Sequence, residues 1–115
     1  MAEFIIYIRD FEYGTKISGK LSAMGKSINF AESKMQVEQF HDEETQVIIV
    51  DLDDKKINAP EMIAYITYKY PEVKIIGYMK KVYKQSHGDL KALGCKIILP
   101  KSSFMKNLLS VIENI

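Results

Sequence analysis

Three charged residues of this chain stand at the ends of apolar runs, and carboxylates and an ammonium are residue types that can do chemistry. Asp10 closes Phe4-Ile5-Ile6-Tyr7-Ile8-Arg9-Asp10, Asp51 closes Ile48-Ile49-Val50-Asp51, and Lys101 closes Ile97-Ile98-Leu99-Pro100-Lys101. In an open parallel sheet, ligands and chemistry gather outside the carboxyl ends of the strands. Three strands ending in this way would deliver Asp10, Asp51 and Lys101 to one edge. Taken singly, each has a plainer reading, because a strand-end acid often caps the next helix or lies in solvent.

The elements that must position these residues alternate along the chain. Residues 3 to 9 form a nearly continuous apolar run, as in a strand buried on both faces. After a break at Gly14, Ile17, Leu21 and Met24 place one apolar stripe on a helix that Gly25 ends. Residues 27 to 31 make a short second strand, and Ser33 is suited to cap a helix carrying Met35, Val37 and Phe40. Residues 46 to 51 are rich in β-branched side chains and flanked by charge clusters, which marks a third strand. Asn58 followed by Glu61 has the form of a capping box, with Pro60 tolerated in the first turn. The helix so opened uses Met62, Ile63, Ile66 and Tyr70 and is closed by Pro71. Residues 74 to 77 form the fourth strand, and a helix over 85 to 93 stops at Gly94. The fifth strand covers 96 to 99, and Ser102 or Ser103 caps a last helix whose face is Phe104, Leu108, Leu109, Ile112 and Ile115. Strands and helices in alternation imply right-handed crossovers and helices on both faces of a parallel sheet. For five such units the expected fold is α/β, a flavodoxin-like (βα)5 doubly wound sheet of strand order 2-1-3-4-5. With no repeat, linker or low-complexity segment in view, residues 1 to 115 are expected to form a single domain.

Composition narrows the classes of function. The 115 residues carry 47% hydrophobic and 27% charged side chains, ordinary values for a globular chain that needs no metal or disulfide to hold its core. A net charge of +1 supplies no overall field for nucleic acid or an anionic membrane. Cys95 is the single cysteine, so an internal disulfide and a Cys/His zinc site are excluded, and His41 and His87 read as surface residues. Neither a signal peptide nor an apolar stretch near the roughly 20 residues of a membrane span is present, so a cytoplasmic setting is expected.

On Val47-Ile48-Ile49-Val50-Asp51-Leu52, on Gly94-Cys95-Lys96-Ile97-Ile98-Leu99-Pro100-Lys101-Ser102-Ser103 and on Arg9-Asp10, the chain resembles the receiver domain of two-component response regulators, the CheY-like fold. The resemblance implies phosphorelay signal transduction rather than enzyme activity, with Asp51 at the phosphoacceptor position. Lys101 falls on the family's lysine without a gap, and Arg9 and Asp10 fall on its first-strand pair of acids. Magnesium in such domains lies between carboxylates of the first and third strands, which maps to Asp10 and Asp51, with Asp53 where a backbone carbonyl is supplied.

Several departures point to a pseudo-receiver with a degenerate phosphorylation site. Gly77 stands where the family keeps a serine or threonine hydroxyl, and Ile98 where it keeps the aromatic that moves with that hydroxyl. Ser102 replaces the proline after the lysine. Arg9 puts a fixed cation where a metal-binding acid is usual, so no cofactor is required, weak or absent magnesium binding is expected, and Arg9 is expected to pair with Asp51 or Asp10. Asp51 is accordingly expected to be partly buried and held by Lys101 or Arg9. Asp54 reads as part of a solvated loop. The pocket expected from the resemblance is therefore Arg9, Asp10, Asp51, Gly77 and Lys101.

The segment Tyr78-Met79-Lys80-Lys81-Val82-Tyr83-Lys84 lies where receivers meet partners. Tyr78, Lys80, Lys81, Tyr83 and Lys84, with Ile98, form the expected partner face for an acidic signalling protein, a histidine kinase or a downstream effector. The resemblance also implies a homodimer through the fourth helix, fifth strand and fifth helix, while the balanced charge leads to the expectation of no nucleic acid bound by the domain itself and no membrane partner. Two other readings stay open. One is a competent receiver in which Asp51 attacks a phosphodonor and Lys101 stabilises the developing charge. The other is a flavodoxin-like small-ligand binder, although Phe11-Glu12-Tyr13-Gly14-Thr15 is no phosphate loop.

Overall fold

The strand centres are closed to water on both sides: Ile5, Ile6, Ile48, Ile49 and Val50 are wholly buried, as continuous β-branched runs must be in a sheet covered by helices on both faces. A computed structural model describes residues 2–115. Its elements are β1 (Phe4–Tyr7), α1 (Phe11–Ala23), β2 (Ile28–Phe30), α2 (Lys34–Phe40), β3 (Val47–Asp51), α3 (Ala59–Lys69), β4 (Lys74–Met79), α4 (Lys84–Leu93), β5 (Cys95–Pro100) and α5 (Lys101–Glu113). All strand pairs are parallel, in the order β2-β1-β3-β4-β5. This is the flavodoxin-like, CheY-like order expected from the sequence.

Two apolar layers sandwich the sheet. On one face Ile17 and Leu21 of α1 and Phe104 and Leu108 of α5 pack on Phe4, Ile49 and Tyr78. On the other, Val37 of α2, Ile63 of α3 and Leu90 of α4 pack on Ile5, Val50 and Ile98. Polar ties run within each layer. Tyr13 on α1 donates its hydroxyl proton to the Lys101 carbonyl at 3.2 Å, and Lys20 Nζ donates to the Met105 carbonyl at 2.8 Å. Between α2 and α3, the Tyr65 hydroxyl donates to Glu38 at 2.5 Å.

The helix boundaries correct several expectations. Gly14 is not a break: α1 begins at Phe11, capped by the Asp10 carboxylate, which accepts from the Tyr13 amide at 3.2 Å. Gly14 lies buried inside the helix, where an added Cβ would come within 3.6 Å of Phe30 and 3.9 Å of Ile8. Ser33 caps α2 as expected, accepting from the Gln36 amide, whereas Met35 is exposed and Val37 alone of that helix is buried. Asn58 forms no capping box. Its backbone is left-handed, at φ 54°, and its side chain donates instead to the Glu61 carboxylate. β4 runs on to Met79, two residues beyond the expected end, because Gly77 and Tyr78 keep the sheet's register with Val50 and Asp51. α5 starts at Lys101 after an extended Pro100, with no side chain capping it, and Leu109 faces outward.

Candidate functional site

The ends of β1, β3 and β5 bring Asp10, Asp51 and Lys101 to the same edge of the sheet, on the side covered by α1 and α5. Successive strand residues point to opposite faces. Asp51 therefore shares the face of Val47 and Ile49, and its register partner on β4, Tyr78, points the same way. The phenol of Tyr78 is 1% exposed, and its hydroxyl has no hydrogen-bond partner. It stands near enough to Asp51 for the carboxylate's charge, added to burial, to push its pKa well above the ordinary phenol value. Tyr13 meets Tyr78 edge-on at 4.8 Å between ring centroids, and Phe104 lies 5.3 Å from it on the other side. These two tyrosines are site residues that the sequence reading missed. Tyr13 lies in a segment whose sequence speaks only against a phosphate loop, and Tyr78 falls on the expected partner face.

Lys101 does not pair with Asp51. Its ammonium lies 3.9 Å from the Asp10 carboxylate, 4.7 Å from the Tyr13 ring centroid and 5.8 Å from that of Tyr78. Arg9 does not pair with Asp51 or Asp10 either. Its Nη1 donates to both carboxylate oxygens of Asp54, at 3.1 and 3.2 Å, in the loop beyond β3. Asp54 is thus a partly buried ion-pair partner rather than a solvated loop acid. It also accepts from the Lys56 amide at 2.9 Å, which fixes the turn that presents it to Arg9.

Asp51 is left half-buried, with the Asp53 amide as its hydrogen-bond donor at 3.0 Å. Burial of the carboxyl raises its pKa above the ordinary value. The Asp53 amide offsets part of this, the charges of Asp53 and Asp54 add to the rise, and Lys101 opposes it from a distance. Such a carboxylate is a better base and a more costly anion than a solvated one.

The Asp53 carboxylate accepts from the Lys80 amide at 2.7 Å, tying the loop after β3 to the loop after β4. The side chains of Asp10, Asp51 and Asp53 therefore serve three different local partners. Among the described residues no three His, Cys, Asp or Glu side chains are disposed to hold a metal ion. Of the donors expected for a weakly held magnesium ion, Asp10 and Asp51 thus present carboxylates with separate local partners, and Asp53, expected to offer its backbone carbonyl, has its side chain engaged by the Lys80 amide.

Gly77 belongs to the other side of the sheet. A Cβ built there would come within 2.6 Å of Leu52 Cγ and 2.8 Å of the Val50 carbonyl oxygen. The glycine is thus demanded by close packing with the residue that follows Asp51, and it does not join the pocket. Ile98, its register partner on β5, is also buried. Tyr78 and Ile98 accordingly leave the expected partner face, whereas Lys80, Lys81, Tyr83 and Lys84 are exposed on the loop and first turn of α4. A cleft of about 500 Å³ at this edge opens beyond Arg9, between Tyr7, Ser33, Lys56 and Glu61, and its lining does not include Asp10, Asp51 or Lys101.

The strand order and the helices on both faces are those of the receiver fold found in response regulators. In solved structures the chain is similar to a two-component response regulator of Clostridium difficile, with a TM-score of 0.86 at 16% identity, covering 99% of this chain and 94% of that one. An orphan response regulator of H. pylori aligns with a TM-score of 0.82 at 18% identity, over 96% of this chain and 92% of that one. The receiver domain of a sensor histidine kinase of Pseudomonas aeruginosa PAO1, solved with magnesium coordinated in its active-site cleft, aligns with a TM-score of 0.81 at 15% identity, over 98% and 95%. No family model and no curated protein sequence matches the chain.

Proposed function

We propose that these 115 residues form a single receiver-like signalling domain whose phosphorylation site is degenerate and which acts by protein contacts. The observation that carries this reading is the disposition of the cations. Lys101 is held by Asp10 and the faces of Tyr13 and Tyr78, and Arg9 by Asp54, so neither is an ion-pair partner of Asp51. Phosphoryl transfer depends on positioned positive charge around the entering group. With Asp10 engaged as the cap of α1, magnesium binds weakly and no step depends on it.

The contact surface is the exposed Lys80, Lys81, Tyr83 and Lys84 segment, which suits an acidic face of a kinase or effector in the cytoplasm. Loss of binding to such a partner on reversing Lys80 and Lys81 to glutamate, with binding indifferent to beryllofluoride, is the expected result. Binding that appears only after beryllofluoride is added would discard the reading. The second reading, a receiver phosphorylated on Asp51, is favoured by the half-exposed carboxylate at the end of β3 and by the shared edge with Asp10 and Lys101. Intact-mass detection of a phosphoryl adduct on the unaltered chain after acetyl phosphate and magnesium would select it.

A further inference from the structure

Asp51 and Tyr78 are direct neighbours across β3 and β4, and adjacent strands lie only about 4.8 Å apart. The Tyr78 ring consequently rises beside the carboxylate on the same face. It is confined there by Tyr13 at 4.8 Å and Phe104 at 5.3 Å, and the Lys101 ammonium lies 5.8 Å from its centroid. A ring wedged between two others cannot swing aside without leaving the core. Its hydroxyl is buried without a hydrogen-bond partner, a state that costs free energy and that a phenyl ring would avoid. The Asp51 carboxyl nevertheless lies close enough to interact weakly with the hydroxyl, without the geometry of a full hydrogen bond, so the tip of the ring is directed at that carboxyl rather than at more core.

We propose that Tyr78 is the gate of this site: its ring fills the space between Asp51 and Lys101 that a phosphoryl group would need, and a small side chain there makes Asp51 a phosphoacceptor. The inference rests on the receiver-like reading above and assigns to Tyr78 a barrier that stands even after Arg9 is replaced by an acid. The step that the ring prevents is simple. A carboxylate oxygen of Asp51 attacks the phosphorus of acetyl phosphate, a new O–P bond forms, and the P–O bond to the acetyl group breaks. Acetate leaves with the electron pair, and Lys101 faces the charge on the transferred group.

The test uses the full chain in four forms: unaltered, Arg9→Asp, Arg9→Asp with Tyr78→Ala, and Arg9→Asp with Tyr78→Phe. Each is incubated with magnesium and acetyl phosphate, followed by intact mass, and checked for native fold by amide NMR. The expected result is no adduct on the unaltered chain, on Arg9→Asp or on the Phe form, and at least tenfold more on the Ala form, abolished by adding Asp51→Asn. An adduct on Arg9→Asp with Tyr78 intact would make Arg9 the barrier and overturn the gate. A folded Ala form without adduct would overturn the gate and leave the receiver-like reading standing, whereas an adduct on the unaltered chain would overturn both. Since removal of a buried ring can unfold a strand, Tyr78→Met in the Arg9→Asp chain is run beside it. A folded Met form is judged by the same adduct, and loss of fold in both forms overturns the gate by making the ring a core residue only.

Discussion

Asp51 and Asp54 stand one short loop apart at the same edge of the sheet, yet their surroundings are opposite. Asp54 receives the Arg9 guanidinium at 3.1 and 3.2 Å and a backbone amide as well. Asp51 sits among aromatic rings and other carboxylates, with one amide donor and its pKa raised by burial. The chain has placed a cation in its first strand but spends it on the loop acid, on the side of α2 and α3, leaving the strand-end acid on the side of α1 and α5 without an ion pair. On the receiver-like reading proposed above, Asp51 owes its inertness to its neighbours in the sheet and not to a guanidinium sitting on it.

Substitutions on the two sides should separate these environments. The largest effect is expected at Gly77→Thr, which supplies the hydroxyl usual in receivers but drives a Cβ to within 2.8 Å of the Val50 carbonyl. Overpacking of this kind costs about 3 kcal/mol, to be read as a lower urea midpoint at unchanged slope. Asp51→Asn should act in the opposite direction. A carboxyl whose folded pKa is raised binds more protons in the native state than in the unfolded one, so its charge weakens the fold as pH rises through the window above the ordinary value of 3.8. The variant should then melt higher than the unaltered chain at pH 7, with the gain vanishing below that ordinary value; equal melting at pH 7 would show a well-solvated carboxylate.

The Arg9–Asp54 pair is the next contrast. With Arg9 side-chain exposure at 36%, solvent screening limits the pair, and a double-mutant cycle of Arg9→Ala and Asp54→Ala should give a coupling of about 0.5 to 1 kcal/mol that shrinks in salt. The same cycle between Arg9→Ala and Asp51→Asn should give none. Lys101→Met should cost least, under about 0.5 kcal/mol, because its partner Asp10 is 47% exposed and 3.9 Å away. A marked drop in melting temperature would instead place Lys101 against Asp51.

The legible parts of the fold were those in which burial and periodicity agree. Val47 to Val50 can be nothing but a central strand, and Gly94, at φ 127°, ends α4 where its sequence position says it should. The convergence of Asp10, Asp51 and Lys101 was legible too, since strand ends in a parallel sheet share an edge. What failed was parity. In β4 both faces are covered, so Lys74 to Met79 carries no alternation to reveal that Gly77 points one way and Tyr78 the other. A one-residue difference there exchanged a pocket residue for a core glycine. The pairing of Arg9 was illegible for a different reason. It depends on the turn that Asp54 makes with the Lys56 amide, which a loop sequence does not announce. Gly14 misled because a glycine inside a helix, with ordinary room for a Cβ beside Phe30, looks in sequence the same as one that ends a helix.

The ties between α1 and α5 have a consequence for how the domain breathes. Tyr13 bonds to the Lys101 carbonyl, Lys20 to the Met105 carbonyl, and Asp10 reaches the Lys101 ammonium, so the two helices are stitched along their length although they lie at opposite ends of the chain. Contiguous cooperative units of this kind open together in native-state amide exchange. The amides of α1 and α5 should lose protection at a common free energy, distinct from that of the α2–α3 pair joined through Tyr65 and Glu38. Tyr78 and Phe104 sit beneath the stitched pair, so any strain set up at Asp51 would be felt first by a unit that joins the two ends of the chain rather than by the loop of lysines after β4.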